Sequence, residues 1–176
     1  MAWFVPDLII DSVLKIDQKL LQKHKLKALL LDVDNTLTSH GNPEPYDGII
    51  EWIAQMKKLG IMLVIISNNS HTRVKPFAES LGIDFISRGM KPLTIGYTKA
   101  MRQLGIKSNE TAIVGDQIYT DILGGNIKGM MTILVEPFEL EDTFFFKLKR
   151  LLERRHIRRY YKKLEKCSKS KDSDKK

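Results

Sequence analysis

The chain has 176 residues, 43% of them hydrophobic and 28% charged, ordinary for a soluble protein and enough for one substantial core. Its one cysteine, Cys167, lies in a polar C-terminal run, which excludes a disulfide framework and a cysteine-based zinc site and points to a reducing compartment, the cytoplasm. No apolar run approaches the ~18 residues of a spanning helix, and the start Met1 to Pro6 lacks the basic flank and long apolar core of a secretory signal.

Taken in chain order, Pro6-Asp7 and the stretch Asp17 to Lys23 predict one or two short helices. The apolar run Leu26 to Leu31 reads as a buried strand, as do Met62 to Ile66, Thr111 to Val114 and Met131 to Val135. Helical spacing falls between them: Ile49, Ile50, Ile53 and Met56 ahead of Gly60, then Val74, Phe77, Ala78 and Leu81 ahead of Gly82, then Ile95 to Leu104 ahead of Gly105. Each of these stops in glycine. Lys91-Pro92 is expected to open the third of them, and Pro76 must sit early in the second or distort it. Strand, helix, strand repeated in this way predicts an α/β fold, a central mostly parallel sheet covered on both faces. Residues 1–143 are expected to form that domain, and residues 144–176 a basic C-terminal helical segment that ends, from Glu165 onward, in a disordered tail.

In such a sheet, ligands bind beyond the carboxyl ends of the strands. The first run ends in Asp32-Val33-Asp34-Asn35-Thr36, the second in Ser67-Asn68-Asn69, and the third in Gly115-Asp116 with Asp121 five residues on. Lys91 falls between the second and third ends, at the start of a predicted helix whose amides favour an anion. Taken singly, each has a plain reading: a solvated loop for Asp-x-Asp, a helix cap for Ser67 or Asp116, a solvated side chain for Lys91. Their order and joint placement at strand ends set that aside. Clustered carboxylates repel unless a cation joins them, and all-oxygen ligation points to magnesium. Lys91 and Ser67 then supply a point charge and a donor for a phosphoryl group. In Asp32-x-Asp34, one carboxylate can attack phosphorus while the other protonates the leaving oxygen and later activates water.

These four stretches resemble the motifs of the haloacid dehalogenase superfamily of phosphohydrolases: Asp32 to Thr36 as the first, Ser67 as the second, Lys91 as the third, Gly115-Asp116 with Asp121 as the fourth. The resemblance implies a Rossmann-like three-layer sandwich, Asp32 as nucleophile and Asp34 as general acid and base. It implies magnesium held by Asp32, the Asp34 carbonyl and Asp116, with Asp121 nearby, and phosphate held by Ser67, Lys91 and the Asn68 amide. Only 34 residues separate Asp32 from Ser67 and 23 separate Ser67 from Lys91, so no inserted cap domain fits in either place. The wider wording, with Gly124-Gly125-Asn126 and the basic tail, is similar to the YqeG branch of subclass IIIA, which resembles phosphatidylglycerophosphate phosphatases. One departure is Gly89 before Met90-Lys91-Pro92, where the pattern leads one to expect alanine.

The tail bears on substrate and partners. Phe144, Phe145, Leu148, Leu151 and Leu152 fall on one helical face, and Ile157, Tyr160, Tyr161 and Leu164 roughly opposite. One reading is a helix packed on the core with a solvated basic face; the other is an interfacial helix on anionic lipid at the inner face of the membrane. The function expected is a magnesium-dependent phosphomonoesterase acting on a lipid head group of the phosphatidylglycerophosphate kind. The alternatives are a phosphatase of soluble sugar phosphates or nucleotides closed by oligomerisation, and an RNA- or ribosome-associated binding module. Of the histidines, His71 is nearest the site by sequence, and Trp3 and Trp52 read as core or interface anchors.

Overall fold

The computed structural model describes residues 3–137 and 156–162. Six parallel strands form one sheet in the order β1-β6-β5-β2-β3-β4, with β1 Leu8–Ile10, β2 Ala28–Leu31, β3 Met62–Ile66, β4 Asp84–Ile86, β5 Thr111–Gly115 and β6 Met131–Val135. The central strands are unbroken apolar runs because both their faces are covered: every residue of β2 and β5 is buried. Leu29, Leu31, Leu63, Ile65, Ala112 and Val114 pack under α1 Gln18–Lys23, α2 Ile49–Lys58 and α3 His71–Leu81. Leu30, Val64, Ile66 and Ile113 point the other way, toward Tyr97, Ala100 and Met101 of α4 Ile95–Leu104. Each such aliphatic side chain contributes about 1.5–3 kcal/mol on burial. The expected three-layer α/β sandwich is therefore present.

The connections fix where the site lies. β2 passes through α2 to its neighbour β3 on one side, while its neighbour on the other side, β5, is reached only after β4 and α4. The chain after β2 and the chain after β5 thus diverge at a topological switch point, where α/β sheets bind ligands.

Asp17 begins α1 as expected, its Oδ1 accepting from the Leu20 amide at 2.8 Å. Pro6-Asp7, by contrast, opens a strand and not a helix. The Asp7 carboxylate accepts from the amide and hydroxyl of Thr132 at 3.0 and 3.1 Å, and the Asp7 amide donates to the Thr132 carbonyl at 3.0 Å, which ties β1 to β6. A second correction concerns Lys91-Pro92, a cis peptide that precedes α4 in a turn closed by the Leu93 amide on the Met90 carbonyl. The helix starts at Ile95, so Lys91 does not stand at its N-terminus. Pro76 lies at the sixth residue of α3, deeper than expected, and the helix forgoes one hydrogen bond to Thr72. Gly60, Gly82 and Gly105 follow α2, α3 and α4 in left-handed backbone, as predicted.

After β5 come one π-type turn, Ile118–Ile122, and the short α5 Leu123–Lys128. Gly124 lies against the ring of Tyr97 and the Pro92 carbonyl, which seats α5 beside α4 on the same face of the sheet. Residues 156–162 are helical. Ile157 packs with Ile118, Ile122 and Leu134, the His156 ring stands 5.0 Å from that of Phe4, and Tyr160 is buried, while Arg158, Arg159 and Lys162 are exposed. This stretch follows the core-packing reading of the tail. The proposed stripe from Phe144 to Leu152, the boundary at residue 143 and the tail beyond Glu165 lie outside the described residues. Among the described residues, no helix is long and apolar enough to cross a membrane.

Trp52 is buried, and its indole Nε1 donates to the Ile16 carbonyl at 3.0 Å, pinning the N-terminal segment to α2. Trp52→Phe removes the donor and strands that carbonyl, and is expected to cost about 1–3 kcal/mol, read as a lowered urea midpoint with an unchanged slope.

Candidate active site

Three neighbouring strands deliver the site. Asp32 directly follows β2, with its amide still in the ladder on the Val114 carbonyl at 2.9 Å. Ser67 follows β3, held by the Ile86 carbonyl at 3.0 Å, and Asp116 follows β5. Asp32, Asp34, Ser67, Lys91, Asp116 and Asp121 are all buried. The structure thus brings together the carboxylates, the hydroxyl and the lysine that the four motifs mark, and the cleft is lined by Asp32, Asp34, His40, Ser67, Asn68, Asn69, Lys91, Gln117 and Thr120.

At its floor, Lys91 Nζ lies 2.7 Å from Asp32 Oδ1 and 2.6 Å from Asp121 Oδ1. Asp121 reaches this position because residue 115 is glycine: a Cβ there would overlap the Asp121 carboxyl group. Its other oxygen accepts from the Gln117 amide and the Thr120 hydroxyl, both at 3.3 Å. Asp32, Asp116 and Asp121 each offer an oxygen within 4.8 Å of the others. Three buried carboxylates against one ammonium leave an excess of negative charge. Burial pushes Asp32 up to about 6, Lys91 pulls it back, and Asp121 raises it again. Asp121 is raised as well, by burial against the pull of Lys91. Burial works against the Lys91 ammonium, but Asp121 and Asp32 outweigh it and hold lysine above its usual range. An oxygen-only donor set with surplus negative charge fits a divalent cation of the magnesium kind.

Asp34 is held apart from this cluster. Asn35 adopts a left-handed backbone (φ 57°) that bends the chain after Asp34. The Asp34 carboxylate then accepts from Asn69 Nδ2 at 2.5 Å, Arg73 at 3.2 Å and the Gly41 amide at 3.2 Å, with His40 Nδ1 3.8 Å away. Two carboxylates two residues apart thus occupy different surroundings, one against a buried lysine and one in a polar cage at the rim. This arrangement suits different roles for them.

Asn68, whose backbone amide the resemblance assigns to phosphate, lines the cleft. Its side chain is committed to the Lys91 backbone, accepting from the amide at 2.7 Å and donating to the carbonyl at 2.9 Å, and so fixes the loop that carries the lysine. Gly89, the apparent departure from pattern, is sterically required here: a Cβ would meet Ile66 Cγ1 at 2.9 Å and the Ser67 carbonyl at 3.3 Å. Arg88 and Met90 on either side take left-handed backbone, φ 49° and 55°, at roughly 1–3 kcal/mol each.

His71 does not reach the cleft; its ring stacks 5.3 Å from Phe85. The sequence reading missed His40, Asn69, Arg73, Gln117 and Thr120. Asn69 and Arg73 carried a faint signal, one beside Ser67-Asn68 and the other in the first turn of α3, the helix leaving β3. His40 carried none, since only the folding of the long loop between β2 and α2 returns it to Asp34.

Residues 8–135 match the haloacid dehalogenase-like hydrolase family. The chain is 39% identical over 153 residues to "Probable phosphatase YqeG" of Bacillus subtilis (strain 168), covering 87% of this chain and 89% of that protein. It is 25% identical over 169 residues to "Phosphatidylglycerophosphate phosphatase 1, chloroplastic/mitochondrial" of Arabidopsis thaliana, covering 90% of this chain and 49% of that protein. In fold it is similar to NagD from E. coli K-12, with a TM-score of 0.54 and 15% identity over 63% of this chain and 88% of that one. A phosphate-sized cleft floored by Lys91 and Asp32 agrees with these likenesses: the chain belongs to the haloacid dehalogenase-like hydrolase family and is a phosphatase.

Proposed function

We propose that this phosphatase is a magnesium-dependent phosphomonoesterase without a cap domain, working through an aspartyl-phosphate on Asp32, and that its substrate is a lipid phosphate of the phosphatidylglycerophosphate type. The observation that carries the mechanism is the placement of Asp32 against Lys91 while Asp34 stands separately at the rim. The likeness of nearly the whole chain to the Arabidopsis relative supports the substrate class. So does the cleft, about 110 Å³ in volume. That is well below the roughly 300–1,000 Å³ of a site that encloses a drug-sized ligand, so most of a lipid ester stays outside.

In the first half-reaction an Asp32 carboxylate oxygen forms a bond to phosphorus, the phosphorus–oxygen bond to the alcohol breaks, and Asp34 gives a proton to the departing oxygen. In the second, Asp34 takes a proton from water as that water attacks the phosphorus. The acyl-phosphate bond then breaks, inorganic phosphate leaves and Asp32 is restored. Lys91 and Ser67 balance and hold the phosphoryl oxygens, Asn68 fixes Lys91 through its backbone, and Asn69 and Arg73 orient Asp34. Asp32, the Asp34 carbonyl and Asp116, with Asp121 nearby, would hold magnesium, which would supply charge neutralisation of the carboxylates and the phosphoryl group.

Phosphate release from phosphatidylglycerophosphate in mixed micelles with magnesium is expected to fall on the order of 10³-fold or more in Asp32→Asn and 10²–10⁴-fold in Asp34→Asn. Turnover of soluble phosphomonoesters alone would keep the mechanism and discard the lipid. No magnesium-dependent release from any ester would overturn both.

Asp32 also sets a pH dependence. Its folded pKa of about 6 lies above the ordinary 3.8, so without a cation its contribution to stability declines as pH rises between those values and stays low above them. A cation relieves this cost but competes with the proton below pH 6. The gain in Tm on adding magnesium is therefore expected to be larger at about pH 7.5 than at about pH 5, and Asp116→Asn is expected to remove most of it. An equal gain at both values would contradict the assignment.

A further inference from the structure

The loop that carries Lys91 into the cleft turns three large apolar side chains outward. Met90, Leu93 and Ile95 are 52%, 53% and 62% exposed, and they account for three of the eight exposed large hydrophobic residues among the described residues. They neighbour in sequence the buried Lys91 that lines the cleft; they do not line it themselves and belong to the outer surface of the loop that carries it. The surroundings are one-signed. From Phe85 to Asn109 the sequence has no aspartate or glutamate, and from Gln117 to Val135 its one acid is Asp121, which is buried. Arg88 on the loop and Lys99 and Arg102 on α4 are exposed. The opposite layer differs: α2 carries Glu51 as well as Lys57 and Lys58, and α3 pairs Lys75 with Glu79.

From these observations we infer that the Met90–Ile95 rim is a membrane-docking surface, which seats the mouth of the cleft on an anionic lipid bilayer with Leu93 and Ile95 in the acyl boundary and Arg88, Lys99 and Arg102 among the head groups. The inference deepens the lipid-phosphate reading above and rests on it for its purpose. Exposed aliphatic side chains with Arg88, Lys99 and Arg102 close by in the chain and no acid from Phe85 to Asn109 have the composition of an interfacial contact. The nearest exposed acid in the chain, Asp84, is engaged by Gln103 of α4 at 3.2 Å. Nucleic acid answers the bases but offers nothing to three aliphatic side chains, and the rim has no aromatic ring on which a base could stack. A second copy of the chain in a two-fold contact would bring this basic surface against itself. The cleft adds the functional reason. Since it is too small to enclose a lipid, the remainder of a lipid ester lies outside it, and a rim already in the bilayer meets its substrate without lifting it into water.

The test is co-sedimentation of the full chain with vesicles of equal parts phosphatidylglycerol and phosphatidylcholine, and with phosphatidylcholine alone. The wild type is expected to bind the anionic vesicles, more weakly as salt is raised. The double variant Leu93→Ser/Ile95→Ser is expected to lose on the order of tenfold in binding, and Lys99→Glu/Arg102→Glu to lose the preference for anionic lipid. Ile50→Ser, an exposed apolar position on α2, is expected to bind as the wild type does. Turnover of p-nitrophenyl phosphate is expected to be unchanged in all three variants, which shows them folded. No binding by the wild type, binding that the rim variants leave intact, or a concentration-dependent dimer that Leu93→Ser/Ile95→Ser abolishes in the absence of lipid would each overturn the inference. Vesicle binding that follows the rim, in a protein that releases no phosphate from any lipid, would uphold the docking surface and remove the substrate reading alone.

Discussion

The site rests on one buried ammonium. Lys91 sits between Asp32 and Asp121 at 2.7 and 2.6 Å, and without it three carboxylates would share one buried pocket uncompensated, a state that costs several kcal/mol per ion. Much of the surrounding chain places this one atom. Asn68 grips the lysine's amide and carbonyl, Gly89 lets the loop pass close to Ile66, and Gly115 lets Asp121 fold back over the end of β5. Left-handed backbone at Arg88 and Met90 completes the turn. These features draw no stability from their own geometry. They persist because packing on both faces of the sheet over-determines them.

Charge compensation by Lys91 is incomplete, and that is what makes the pocket chemically useful. Burial first, and Asp121 beside it, leave Asp32 raised to about 6 despite the pull of Lys91, so a cation entering there would meet a fixed, dehydrated set of oxygens whose repulsion it would relieve. Asp34 lies apart from that cluster because Asn35 turns the chain and Asn69 and Arg73 receive its carboxylate elsewhere. On the mechanism proposed above, the separation of environments, rather than any feature of the two residues themselves, is what would divide attack from proton transfer.

The legible part of this architecture is the part written in local patterns. Buried strands such as Ala28–Leu31 and Met62–Ile66 announce themselves as continuous apolar runs, and strand ends in a parallel sheet are where ligands bind, so Asp32, Ser67 and Asp116 could be marked from their positions after such runs. What escaped had no such pattern. β1 and β4 are three residues each, too short for periodicity to register. Pro6-Asp7 has the wording of a helix start, and only the distant Thr132 turns it into a strand anchor. Pro92 likewise looks like a first helical residue, yet the tether between Lys91 and Asn68 holds that peptide in a turn and postpones α4 to Ile95. His40 and Arg73 join the site through tertiary contacts with Asp34, which a local reading of the sequence does not contain.

The basic tail and the basic face of the sheet bear on one another. The two readings of the tail, packed on the core or laid on lipid, look exclusive when the segment is taken as an isolated amphipathic helix. Residues 156–162 remove that opposition. Ile157 is spent on the core beside Ile118 and Leu134 and Tyr160 is buried, while Arg158, Arg159 and Lys162 remain exposed. Leu134 faces the same side of the sheet as α4, because it alternates with Ile133 and Val135, which pack under the other layer. The packed stretch therefore adds three cations to the face that already lacks exposed acids between Phe85 and Asn109. Packing against the core is then what positions the charge of residues 156–162, and a helix need not lie in a bilayer for its bases to act on one within a Debye length.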